Sequence, residues 1–161
     1  MAVSFIIECD KSLDYLEELK EKLNQESSRI LNFFELEGLK NPKKIKIWTD
    51  REKYQKYLEE YVPKYYEWMC ADTHDGNINI LSIEECRKTI SHQDMTLEEM
   101  LKVITHEFVH TCQQEINPDA SNVEWFWEAL ATNLANPFDH VASMQCEDEE
   151  LINNLNAVPY S

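Results

Sequence analysis

His106 and His110 stand four residues apart in the run His106-Glu107-Phe108-Val109-His110. On a helix, side chains at that spacing lie one above the other on the same face, so both imidazoles can reach one metal ion. A glutamate next to the first histidine then sits beside a water on that ion and can take its proton. The H-E-x-x-H pattern is the arrangement with which a helix holds zinc and activates water. Zinc that does chemistry needs a third protein ligand and an open fourth position. Glu128, within Trp125-Phe126-Trp127-Glu128-Ala129-Leu130-Ala131, is the candidate. A carboxylate in so apolar a segment is costly to bury without compensation, and a zinc ion would compensate it. The competing reading places Glu128 on the exposed side of an amphipathic helix.

The elements that must position these residues are marked along the chain. Thr96 and Glu99 form a capping box that opens the histidine helix, and Asn117-Pro118-Asp119 breaks it. On a wheel of about 100° per residue with Leu97 at zero, Leu101, Ile104 and Phe108 fall within roughly 40°, while His106 and His110 lie near 180° and 220°. The histidines therefore face away from the apolar stripe, toward a cleft. Ser121 and Glu124 offer a second box, opening a helix over residues 122–136 that Pro137 closes.

Upstream, residues 3–8 form an apolar, β-branched strand, and residues 11–36 repeat leucines at helical spacing, with Gly38 as the C-cap. Residues 44–49 alternate as a second strand. Thr49 with Glu52, or Asp50 alone, then caps a tyrosine-rich helix that Pro63 ends or kinks. Asp75-Gly76-Asn77 signals a turn before a strand over residues 78–83 with one polar face. Ser82 and Glu85 cap a short helix to about Ile90. The order predicts an α+β fold, a small twisted mixed sheet backed by helices, with the histidine helix under its last strand.

Composition narrows the function. With 161 residues, 43% hydrophobic and only 2 glycines, the chain has the length of one folded domain and lacks phosphate-cradling loops. A formal net charge of -16 argues against nucleic acid and anionic membrane as partners and weakly favours a basic peptide. The 5 cysteines show no C-x-x-C, and no signal peptide or spanning segment is visible, which predicts a cytoplasmic protein with reduced thiols. Cys112 points off the metal face and reads as a core or surface thiol. His74 and His92 have no ligand spacing.

Residues 103–110, taken with Trp125-Phe126-Trp127-Glu128-Ala129-Leu130-Ala131, resemble the gluzincin metallopeptidases. The second segment is most similar to the aminopeptidase side of that clan, and the size resembles the minigluzincins. The resemblance implies a zincin-like fold with zinc bound by His106, His110 and Glu128. It implies Glu107 as the general base that activates a zinc-bound water to hydrolyse a peptide bond. It assigns residues 78–82 to an edge strand that pairs with an extended substrate. It also divides the chain into a catalytic domain over residues 1–136 and a short helical tail over residues 137–161.

The chain departs from the family's pattern at several points. Trp127 stands where thermolysin-like enzymes carry a polar residue. Thr132 replaces the acidic residue that orients a zinc histidine, which leaves that task weaker or to another partner. The chain past Glu128 is short and no loop that anchors a free N-terminus is visible, so an endopeptidase is expected, acting on a peptide or protein. His140 and Tyr160 are the downstream candidates for stabilising an oxyanion. A tail folded over the cleft, with Tyr160 or Asp148 near the zinc, would keep the enzyme latent. The alternatives are a non-catalytic zinc-binding regulatory module on the same fold and a metallopeptidase whose third ligand lies elsewhere.

Overall fold

The structure, a computed structural model, describes residues 5–136. The tail helix, the latency contact and the oxyanion candidates His140 and Tyr160 fall outside the described residues. The strands are β1 (Phe5–Cys9), β2 (Lys43–Trp48), β3 (Ala71–His74) and β4 (Asn77–Leu81). The helices are α1 (Leu16–Phe33), α2 (Arg51–Leu58), α3 (Ile83–Cys86), α4 (Leu97–Ile116) and α5 (Glu124–Ala135). The expected α+β class and mixed sheet are what the chain forms. The strand order is β1-β2-β4-β3, with β1, β2 and β4 parallel and β3 antiparallel to β4. No helix among the described residues is long and apolar enough to cross a membrane.

Alternation along the strands sorts side chains onto two faces. Ile7, Ile45 and Ile78 pair in register, as do Cys9, Ile47 and Ile80. This apolar face receives α1 and α4, and Phe5 meets Phe108 of α4 edge-on, with ring centroids 5.2 Å apart. Pairing of Thr73 with Ile78 puts Thr73 on the same face, against α4. The opposite face carries Trp48, Asp72 and Asn79, and the tyrosines of α2 cover it. Trp48 stacks on Tyr57 at 5.2 Å, and the Asn79 amide donates to the Tyr57 hydroxyl at 2.9 Å. The polar face expected for β4 is therefore buried under α2, with Asn79 only 4% exposed.

Several expectations need correction. Residues 78–82 are not a sheet edge, because β4 lies between β2 and β3 and the edge belongs to β3. Ala71-Asp72-Thr73-His74 lacks the apolar alternation that marks a strand, so its sequence does not announce it. The signal that does is Asp75-Gly76, whose φ values of 50° and 69° make the two-residue turn of a hairpin that requires a strand on each side. Second, Ser121 caps nothing. A 3-10 turn (Ala120–Asn122) precedes α5, which starts at Glu124 with no side-chain cap.

Third, α1 begins later than expected and ends at Phe33, without reaching Gly38. Glu35 takes the left-handed position at φ 54°, the Leu36 amide reaches the Leu31 carbonyl at 3.0 Å, and the Glu35 amide reaches that of Asn32 at 3.2 Å. That is a Schellman ending, closed by a glutamate where glycine is the usual choice. The other caps fall where the sequence puts them. Asp50 caps α2 alone, Ser82 caps α3, and Thr96 accepts from the Glu99 amide at 3.2 Å to open α4. Pro63 plays no part in ending α2, which stops at Leu58, and α3 closes at Cys86.

Candidate metal centre

The histidine helix α4 runs between the sheet and α5. Its stripe of Leu101, Ile104 and Phe108 is buried in the core, as the wheel requires. Cys112 is buried with them and burial pushes its thiol up to about 12, so the core reading of that residue holds. On the opposite side, His106 and His110 face α5, where Glu128 projects between them.

Three side chains converge there. His106 Nε2 lies 3.0 Å from His110 Nε2, 3.2 Å from Glu128 Oε2, and His110 Nε2 lies 3.5 Å from Glu128 Oε1. Ligands about 2.0–2.1 Å from a tetrahedral zinc are about 3.3 Å from one another, so these separations fit such an ion. Among the described residues, these three side chains form the group able to hold a metal. Glu128 is partly buried, and neither fully wet nor sealed. Hydrogen bonding with His106 first, then His110, outweighs its desolvation and lowers the carboxyl to about 2. It is therefore an anion at any ordinary pH, which suits a cation ligand. Glu128 is half-buried between the exposed positions Glu124 and Thr132 of α5, and what sets it apart from a plain surface glutamate is its contact with both histidines.

The His110 ring is fixed on two sides. Its Nδ1 lies 3.0 Å from Gln113 Oε1, and Gln113 Nε2 donates to the Trp127 carbonyl at 3.3 Å. The Trp127 indole stacks on the imidazole, with centroids 4.2 Å apart and planes 5° from parallel. Thr132, which stands where an orienting acid was expected, is exposed and takes no part. Gln113 escapes a sequence reading aimed downstream of Glu128, yet its spacing of three from His110 on the same helix is the available signal.

Glu107 points the other way, toward the sheet edge. The Thr73 hydroxyl of β3 donates to its carboxylate. Thr73 was missed together with its strand. Asp72, next to it, accepts from Tyr61 and, at 3.1 Å, from Tyr54 on the far face of the sheet. Burial raises the Asp72 carboxyl, while hydrogen bonds from Tyr61 and Tyr54 work against that shift. His74 stacks on Tyr61, with centroids 3.9 Å apart, and His92 contacts the Trp68 carbonyl, so neither joins the three-ligand group.

Compared with known proteins, the chain matches no family model, no curated protein and no solved structure. The functional reading therefore rests on the residues themselves.

Proposed function

We propose that the chain is a zinc-dependent metallopeptidase of the gluzincin type, with a zincin-like fold, acting as an endopeptidase on a peptide or protein. The observation that carries this reading is the convergence of His106, His110 and Glu128 at 3.0–3.5 Å, with Glu107 next to His106 in the chain and its carboxylate held by Thr73 and by none of the three. A purely structural zinc site takes four protein ligands and needs no adjacent base. Three ligands and a base are the set for hydrolysis.

His106, His110 and Glu128 would hold the ion, which when bound supplies a Lewis acid and lowers the pKa of water. Glu107 is the proton carrier. It accepts the proton of the attacking water and delivers it to the amine that leaves when the peptide bond breaks. The Thr73 hydroxyl holds one oxygen of Glu107, which limits the rotamers open to the base. β3 brings that hydroxyl to the site and is also a sheet edge among the described residues, able to pair with an extended peptide through main-chain hydrogen bonds. The substrate edge thus belongs to Ala71–His74 in this reading.

The test is the zinc content of purified wild type beside Glu128→Ala, followed by cleavage of a peptide library. About one zinc per chain, lost in the variant, and cleavage that disappears in Glu107→Gln are the expected results. Zinc-loaded wild type that cleaves nothing would favour a non-catalytic zinc module. Zinc retained in Glu128→Ala would move the third ligand elsewhere.

A further inference from the structure

His110 is the most enclosed of the three ligands, with 6% of its side chain exposed against 24% for His106 and 31% for Glu128. Its second nitrogen faces a single partner, the amide oxygen of Gln113. The orientation of that amide is not free. The Trp127 carbonyl can only accept, so the Gln113 nitrogen must face it and the Gln113 oxygen must face His110. An amide oxygen also only accepts, so Nδ1 of His110 must carry a proton. In the neutral ring that a metal ion requires, the lone pair then lies on Nε2, the atom that faces His106 and Glu128. The chain of Trp127 carbonyl, Gln113 amide and His110 thus leads from a fixed backbone atom to one defined tautomer.

The same residue, Trp127, closes the chain from the other side. Its ring lies parallel to the imidazole at 4.2 Å while its carbonyl anchors Gln113. Gln113 and Trp127 are 5% and 8% exposed, so water does not compete for these contacts. Trp127 directly precedes Glu128 in α5, so the residue that steadies one ligand is covalently tied to another.

We infer that Gln113 and Trp127 together are the positioning clamp of this metal centre, with a neutral amide doing for His110 what a carboxylate would do elsewhere. The clamp rests on the proposed zinc site and deepens it. A neutral acceptor fixes the tautomer and the ring plane without adding negative charge next to the ion. The ring can therefore be held firmly while the ion keeps more of its positive charge.

The experiment pairs zinc affinity with the tautomer of His110 in Gln113→Leu and Gln113→Glu. Affinity is read by competition with a chelating dye, and the tautomer by nitrogen NMR of the metal-free, full chain. Both variants lose the bond to the Trp127 carbonyl, but only Gln113→Leu loses the acceptor for Nδ1. A loss of about 10–100-fold in zinc affinity is expected for Gln113→Leu, with substantial recovery in Gln113→Glu. The wild-type imidazole should show the Nδ1-protonated form, and Gln113→Leu a mixture.

Trp127→Leu, which keeps the carbonyl but loses the stacked ring, should weaken zinc as well, while Trp127→Phe, which keeps a ring, should weaken it less. Equal affinities in Gln113→Leu and wild type overturn the proposal. So does a Gln113→Glu as weak as Gln113→Leu, because that pattern marks a packing role. Wild type that binds no zinc sinks the metal site itself. The NMR reading then still decides the clamp, since a mixed tautomer in wild type overturns it and a pure one that Gln113→Leu scrambles supports it.

Discussion

The corner between α4 and α5 and the edge formed by β3 hold the two halves of the proposed site by different means. At the corner, both histidines, the Glu128 carboxylate and the two residues that steady His110 come from two helices consecutive in the chain. At the edge, Glu107 depends on Thr73, 34 residues earlier, and the strand carrying Thr73 is fastened through Asp72 to tyrosines beyond the sheet. The two carboxylates differ accordingly. Glu128 faces two imidazoles and is driven to about 2, a permanently charged ligand. Glu107 meets a neutral hydroxyl, which orients it without occupying it with a counter-charge. In the proposed reading, metal binding and proton transfer are thus built on separate supports, and damage to one should spare the other.

The largest effects should come from the reacting groups. Glu107→Gln is expected to keep its zinc and lose about 100–10,000-fold in kcat, the range for removing a general base, in a peptide-cleavage assay. His106→Ala should instead lose the zinc. If both variants lost metal together, the two supports would be one.

The next effect is at the edge. Asp72→Ala leaves the buried Tyr54 hydroxyl and the Tyr61 hydroxyl without their shared acceptor. A cost of about 1–3 kcal/mol is expected in urea unfolding, with zinc stoichiometry unchanged in the folded protein. Thr73→Val, which removes only the hydroxyl on Glu107, should lower kcat about 10-fold and leave KM and zinc affinity alone. Thr73→Ser should restore the rate. A Thr73→Ser no better than Thr73→Val would make Thr73 a packing residue.

The corner has its own pH signature. The Glu128 carboxyl is lowered in the folded state, so its charge is present at all pH values above about 2 and is lost only as pH falls through that value. Loss of zinc in mild acid, well above that value, therefore does not report protonation of Glu128. Glu128→Gln should bind zinc more weakly than wild type throughout about pH 5–8 in a chelator-competition titration. Equal affinities would mean that Glu128 is not a ligand.

The corner was legible in the sequence because its rules are local. A four-residue spacing, a capping box at Thr96 and a carboxylate set among Trp125, Phe126, Trp127 and Leu130 all act within one or two helices. The strands β1, β2 and β4 were legible for the same reason, through β-branched runs. β3 was not, since Ala71-Asp72-Thr73-His74 owes its extended form to pairing with β4 and to partners on α2 and α4. Thr73 therefore could not be found before its strand was. Gln113 lay in plain view on the histidine helix, but a glutamine three residues from a ligand gains meaning only when the Trp127 carbonyl fixes which way its amide points.

One local rule was read correctly and placed wrongly, and it supplies the smallest prediction. A glycine near a helix end normally takes the left-handed position, which pointed to Gly38. The chain turns at Glu35 instead, because there the Leu36 amide can reach the Leu31 carbonyl while both leucines turn toward the protein. Burial of those side chains outweighs the strain of a β-carbon at φ 54°. Glu35→Gly should therefore relieve strain and raise stability by about 1 kcal/mol or less in urea unfolding. Zinc affinity and kcat should stay at wild-type values, because Glu35 is exposed and lies on neither support of the site. A destabilised Glu35→Gly would mean that the glutamate side chain contributes more at this turn than its backbone conformation costs.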